Sequence, residues 1–426
     1  MLSLHTAQDD PRPAHATRIG LAIAGGGPVG AMYELGALRA LDEACDGLDL
    51  TRLDCYVGVS SGAFFAAGLA NRIDTAEMCR IFITGDSKDI RFRPETFLRP
   101  ALDEYMGRAA ALPRLVGRLA RDVWTGRSDS RWSDLLTRVG GLVPAGLFDN
   151  KAVERFLREV FSRHGRTNDF RKLERALFVI GVDLDSGEAV RFGDAGWDDV
   201  PISRAVQASA ALPGLYPPVK MQDKRGRTRH VVDGALRRTM HASVVLDRDV
   251  DLMIGINPLV PFNPRSGSEA DAEAHRFSHR RIVEGGLPNI LSQTLRTMLQ
   301  SRMQVGLARY PQTYPHIDQI VFEPNAADRE LFYTNIFSFA ARRSISQLAY
   351  RNTLADLRLR REQLAPVLAR HGITLREDVI GDRPRSLLAH LPPSRRRTDV
   401  TARLEHALDD IEHGLHPRAP RKRGMV

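Results

Sequence analysis

The chain has 426 residues, 43% of them hydrophobic, with a formal net charge of +9, which provides for one large globular domain with insertions or for two domains. It holds no stretch of about 18 apolar residues, which excludes a hydrophobic membrane-spanning helix. Its three cysteines, Cys45, Cys55 and Cys79, follow neither a disulfide framework nor metal-ligand spacing, so they read as packing residues in a reducing compartment.

In chain order, residues 1–17 read as a loose polar arm, with Asp9, Asp10 and two prolines and without the apolar core of a secretory signal. Arg18 to Ala24 reads as a buried strand, followed by the cluster Gly25-Gly26-Gly27-Pro28-Val29-Gly30. A helix over 31–43 then sets Leu35, Leu38 and Leu41 on one side. Tyr56 to Val59 is a second short strand, Gly58-Val59-Ser60-Ser61-Gly62 a turn, and a helix begins near Ala63; another is predicted over 75–83. Residues 85–148 are rich in Arg, Pro and Gly and break the alternating pattern, so they read as a helical insertion and a candidate lid. Within it Leu112, Leu115, Val116, Leu119 and Val123 follow helical spacing, with arginines off that face and Trp124 at the end. Such a helix lies in a membrane interface or, more commonly, packs on its own domain. The core resumes at Asp149 with a helix carrying Val153, Phe156, Leu157 and Val160. A hairpin follows over 176–192, then the strand ending at Asp233, a buried strand over 251–257, a helix over 282–309, a strand over 317–322 and a helix over 335–361. Residues 364–426 read as a helical or disordered basic tail. Its clusters at Arg395 to Arg397 and Arg421 to Arg423 carry no nucleic-acid fold signature, so they suggest attraction to anionic surfaces and no specific nucleic acid.

Three glycine-marked elements carry chemistry. Gly58-x-Ser60-x-Gly62 between a strand and a helix is the nucleophile-elbow pattern: the sharp turn needs nearly side-chain-free residues on both sides of the serine. Gly25-x-Gly27-x-x-Gly30 before a helix offers N–H groups to an anion, either a dinucleotide pyrophosphate or the oxyanion of an acyl-transfer intermediate. The dinucleotide needs an acidic residue at the end of the second strand, where Ser60 stands instead. His230-Val231-Val232-Asp233-Gly234-Ala235 offers a strand-end carboxylate or, the favoured reading for an Asp-Gly pair taken alone, a turn aspartate. His230 and His241 flank it, and neither spacing marks a triad member; a structural role is expected for both.

Together these elements resemble the patatin-like phospholipase family from about Ile19 to Asn257. The glycine loop Gly25 to Gly30 matches its oxyanion loop, Gly58 to Gly62 its serine elbow, and Asp233-Gly234-Ala235 its Asp-Gly-Gly/Ala motif. Gln207 to Pro218 is similar to the family's small-residue helix and proline turn, and Val182 to Glu188 to its internal hairpin. The chain departs at Val29, where the family usually has a basic residue, and at Leu236 to His241, where many members have an Asn-Asn-Pro turn.

The resemblance implies a three-layer α/β/α fold around a mostly parallel sheet, with an insertion after the nucleophile helix and helical C-terminal additions. The hydrolase domain is expected over 18–363. It also implies a Ser60–Asp233 dyad with Gly25, Gly26 and Gly27 binding the oxyanion, hydrolysis of lipid acyl esters through an acyl-enzyme, and no metal or other cofactor. A cytoplasmic protein, peripheral at an anionic membrane, fits. The alternatives are a Ser-His-Asp α/β-hydrolase and a catalytically silent lipid-surface scaffold. Element order opposes the first, because the glycine loop follows the first strand and the serine ends the second.

Overall fold

A computed structural model of the chain describes residues 2–7, 17–88, 90–93, 95, 97, 99–101, 106, 145–259, 286–325 and 339–391. Its strands are β1 (Leu2–His5), β2 (Ile19–Ile23), β3 (Cys45–Asp46), β4 (Cys55–Val59), β5 (Ala176–Asp183), β6 (Ala189–Phe192), β7 (Val219–Gln222), β8 (Thr228–Asp233), β9 (Leu252–Ile256), β10 (Asp318–Phe322) and β11 (Thr374–Leu375). Its helices are α1 (Gly27–Ala44), α2 (Ser61–Ala70), α3 (Thr75–Cys79), α4 (Lys151–Phe161), α5 (Ile202–Ser209), α6 (Ser243–Leu246), α7 (Gly286–Thr313), α8 (Phe339–Leu359), α9 (Arg361–Arg370) and α10 (Glu377–Ile380).

Among the described residues, nine strands form one sheet in the order β1-β10-β9-β2-β4-β5-β8-β7, with β6 beside β5. The run β10-β9-β2-β4-β5 is parallel, and β8 joins antiparallel to β5. The four strands β2, β4, β9 and β10 are buried at every position, as expected where helices cover both faces. Alternation then assigns each side chain to a layer. Leu21, Ile23, Tyr56, Leu252, Ile254 and Ile320 point into the core under α1, α2 and α8. Ala22, Ala24, Val57, Val59, Met253 and Val321 point into a second core under α6 and α7, with Leu299 and Met303. This is a three-layer α/β/α fold around a mostly parallel sheet.

Several elements differ from the sequence expectation. The arm at 1–17 contributes β1: Leu2 is buried and pairs across to Phe322, so the period-two pattern Leu-Ser-Leu-His adds an edge strand to β10. The helix expected over 75–83 is α3 followed by a π-helical turn, Arg80–Thr84, which ends at Gly85 in the left-handed region. Residues past 363 are not all tail. Leu364, Val367, Leu368, Val379 and Ile380 are buried, and β11 pairs with β3. The two ends of the 85–148 insertion are tied together: Pro100 bridges Phe148, Ala101 N–H donates to Leu147 O at 3.2 Å and Asp149 N–H to Arg99 O at 2.8 Å. Phe92 and Phe97, at its start, stack with Phe82 and Phe156 of the core. The segment Leu112 to Trp124 and the arginine clusters at 395–397 and 421–423 lie outside the described residues. Among the described residues, no helix is long and apolar enough to cross a membrane.

Candidate active site

The turn between β4 and α2 holds Ser60 at φ 51°, ψ −118°, a conformation that side-chain-bearing residues rarely adopt. The flanking glycines are there because of space. A Cβ at Gly58 would lie 2.5 Å from Ala63 Cα, and one at Gly62 would lie 2.5 Å from Ile23 O, both unyielding backbone. The strained serine is held from below: its N–H donates to Ser209 Oγ at 2.8 Å, and the Ser209 hydroxyl donates to Ile180 O at 2.6 Å.

Register brings Asp233 to the same place. Val59 pairs with Ile180 of β5, and the next residue of β5, Gly181, pairs with Asp233 of β8. At Gly234 the chain closes over the end of β5, against Ile180 O and Val59, where no Cβ would fit. Asp233 N–H donates to Ala211 O at 3.0 Å, so α5 and the turn after it fix both residues through their backbones. The Asp233 carboxylate accepts from Ala235 N–H at 2.9 Å, and the Ser60 side chain is near enough to lower its pKa. Asp233 is 2% exposed, and burial raises its pKa to about 6 against the lowering effect of those two groups. Sheet register thus brings the two residues singled out from sequence to neighbouring positions.

The glycine loop lies beside it, with a Cβ at Gly25 only 3.0 Å from Ser60 Cβ. Two of its three expected anion donors are engaged inside the protein: Gly25 N–H donates to Thr239 O at 3.0 Å and Gly26 N–H to Ser61 Oγ at 2.9 Å. Gly30 N–H turns back to Gly26 O at 3.1 Å, opening α1. Gly27, at φ 63°, has nothing within 4 Å of its Cβ position and forms the open side of the loop. Ala235 also borders the loop, 3.4 Å from the Gly25 Cβ position.

Neither histidine joins the pair. His230 is exposed, with Nδ1 3.6 Å from Asp185. His241 is buried with Nε2 3.4 Å from Gly234 O, and burial pushes its pKa down to about 3, so it stands neutral. Among the described residues no histidine hydrogen-bonds Ser60 or Asp233, and no group of three or more His, Cys, Asp or Glu could hold a metal ion. The cysteines are buried thiols with pKa pushed up to about 12. Sequence reasoning passed over Ser209, Ser61, Thr239 and Glu34. Ser209 sits in the small-residue run singled out for its likeness alone; the other three carry no spacing signal, because their contacts form only on folding.

Known proteins provide the context for this geometry. No curated sequence matches the chain. Among solved structures, VipD from Legionella pneumophila is 19% identical, with 66% of this chain and 56% of that one covered, at a TM-score of 0.32. Human GIVD cytosolic phospholipase A2, in complex with methyl gamma-linolenyl fluorophosphonate, is 11% identical, with 80% and 58% covered and a TM-score of 0.31. The type III effector ExoU, from Pseudomonas aeruginosa, is 15% identical, with 84% and 65% covered and a TM-score of 0.27. The chain thus spans less than two thirds of each of these three. The family model for the patatin-like phospholipases matches residues 21–246, which contain the glycine loop, the elbow and the aspartate motif. That match takes in more than half of the sequence, and the chain belongs to the patatin-like phospholipase family.

Proposed function

We propose that the chain is a serine hydrolase of lipid acyl esters that works through a Ser60–Asp233 dyad. The observation that carries this reading is the sheet register that sets the buried Asp233 beside Ser60 on its strained elbow, near enough for the Ser60 side chain to lower the Asp233 pKa. In the reaction Asp233 takes the Ser60 proton as Oγ bonds to the acyl carbonyl carbon. The carbonyl oxygen becomes an oxyanion, held by N–H groups of the Gly25–Gly27 loop. Collapse of the tetrahedral intermediate breaks the ester C–O bond. The proton on Asp233 goes to the leaving alkoxide, and an acyl-enzyme remains. Water then loses a proton to Asp233 and attacks the acyl carbon, and Ser60 leaves with that proton. Gly27 is the first donor in line, because Gly25 and Gly26 are bonded within the protein at rest. Positioned donors of this kind are worth about 3–4 kcal/mol each.

A dyad is favoured over a triad because His241 faces the Gly234 carbonyl and burial leaves it little affinity for a proton, and His230 lies at an exposed hairpin. The lipid substrate rests on family membership, and peripheral docking at anionic membranes rests on the basic charge and the sequence of the insertion. A panel of phospholipid, lysophospholipid, acylglycerol and short p-nitrophenyl esters tests the reading. Ser60→Ala and Asp233→Asn are each expected to lose at least about 10³-fold in turnover, and the double variant little more, because the two act as a unit. His230→Ala is expected to retain full activity. Substantial hydrolysis by folded Ser60→Ala would refute the assignment.

A further inference from the structure

Glu34 is an acidic residue in the middle of a core helix, 0% exposed, and the dyad does not use it. Helical side chains lean toward the helix N-terminus, and Glu34 leans back across Gly30, one turn earlier. A Cβ at Gly30 would lie 3.6 Å from Glu34 Oε1, an ordinary contact distance, so the carboxyl passes directly over the glycine, whose tighter neighbour is Pro258 at 3.0 Å. At its end Glu34 Oε1 accepts from the Ser61 hydroxyl at 2.7 Å, and Ser61 Oγ in turn accepts from Gly26 N–H at 2.9 Å. Ser61 immediately follows the elbow serine. A continuous chain of hydrogen bonds therefore joins helix α1, the first residue of α2 and the Gly25–Gly26 peptide, next to the peptide that carries the Gly27 N–H.

We propose that Glu34 is a positioning residue for the oxyanion-binding turn, fixing the Gly26 peptide through the Ser61 hydroxyl and so aiming the N–H of Gly27 at the reacting carbonyl. The inference rests on the reading of Ser60 as nucleophile. Two features fit a neutral acid in this role. Among the described residues Glu34 Oε2 has no partner, and a buried carboxylate with one donor is poorly compensated. Burial accordingly holds the Glu34 carboxyl well above the usual carboxylate range. Neutrality also suits the chemistry, because a negative charge one side chain from the loop would oppose the oxyanion that the loop stabilises. What the site needs from Glu34 is then a buried acceptor at Oε1, which a glutamine also provides.

The test uses the full chain, with kcat and KM on a short soluble ester, the rate of labelling by an alkyl fluorophosphonate, and thermal unfolding. Ser61→Ala removes one oxygen and little volume, so it carries the decision even where Glu34→Ala fails to fold. Ser61→Ala and Glu34→Ala are expected to lower kcat about tenfold to hundredfold with KM within about twofold, and the double variant no further than the worse single one. Glu34→Gln is expected to keep kcat within about threefold. Labelling rates should fall in parallel with kcat. Unchanged kcat in folded Ser61→Ala, a change confined to KM, or a Glu34→Gln variant as impaired as Glu34→Ala would each overturn the proposal. A Ser60→Ala control separates the two readings. If it is as active and as readily labelled as the parent, the nucleophile assignment fails and this inference falls with it. If it is dead while Ser61→Ala keeps its kcat, only the positioning role of Glu34 is lost.

Discussion

At Asp233 two requirements pull in opposite directions. Taking a proton from Ser60 requires an ionised carboxylate, yet burial raises the Asp233 pKa to about 6. On the dyad reading, kcat/KM should therefore fall about tenfold per unit as pH drops below about 6, with the free enzyme titrating there. The same shift has a stability consequence. The folded state favours the protonated form, so its contribution is fully present below the unfolded pKa of about 3.9 and is lost as pH rises through about 6. At pH 8 the ionised Asp233 then costs the fold roughly 3 kcal/mol. Asp233→Asn keeps an acceptor for Ala235 N–H and removes the buried charge. It is expected to be inactive yet more stable than the parent at pH 8 by up to that amount, with the difference vanishing near pH 4. Denaturant unfolding of both proteins at the two pH values measures it. Equal stability at pH 8 would mean that Asp233 titrates near an ordinary carboxylate value. Ser60 and Asp233 were legible as residues because their chemistry forces glycines around them. Glu34 was not, because its one hydrogen-bond partner, Ser61, stands 27 positions away.

The element that concentrates the strain is the turn between β4 and α2. Its glycines leave room for backbone, and neither Ile23 O nor Ala24 O can move without disturbing β2. Gly62→Ala is therefore expected to destabilise the fold by at least about 2 kcal/mol and to lower turnover at least about hundredfold, because any relief displaces Ser60. Unfolding and ester hydrolysis measured on the same preparation check this, and a variant with normal stability and activity would show that the turn relaxes. Strands that feed this turn and its neighbours were readable from sequence: β2, β4, β9 and β10 are short and largely apolar, β2 running toward Gly25, β4 into Ser60, and β9 and β10 each reaching a proline two residues on. Boundaries were harder. Helix α1 starts at Gly27, inside the cluster read as loop, because Pro28 occupies the first turn, where its missing N–H is harmless. The π-helical turn at Arg80–Thr84 has no sequence signature of its own.

On the scale of the whole molecule, sequence pattern understated how the chain ends are tied to the core. Glu43 of α1 accepts from the Tyr350 hydroxyl at 2.5 Å and from Arg385 Nε at 2.8 Å, and also pairs with Arg39. Asp318 accepts from His371 Nε2 at 2.7 Å, from Arg370 and from Ala7 N–H. Both networks join residues tens to hundreds of positions apart, and charged residues in a polar-looking tail give no local hint of burial. The segment read from sequence as an insertion is a different case: within its described residues Pro100 and Phe148 form a bridge. A segment entered and left through one bridge can be removed without crossing the core. Replacing residues 103–144 by a short Gly-Ser linker is thus expected to leave cooperative unfolding and soluble-ester turnover within about threefold of the parent. Vesicle hydrolysis should behave differently, because acyl lipids lie in a surface to which the enzyme must bind first. The deleted stretch carries the Leu112 to Trp124 pattern, with arginines each worth about 1 kcal/mol near an anionic surface at low salt. Binding of the intact chain to anionic vesicles should exceed binding to neutral ones and weaken with salt, and the deletion should lower both vesicle binding and vesicle hydrolysis at least about tenfold. Co-sedimentation beside the soluble-ester assay decides the matter. If a folded deletion variant loses both activities together, the insertion shapes the catalytic site; if it still binds anionic vesicles fully, docking belongs to another face of the protein.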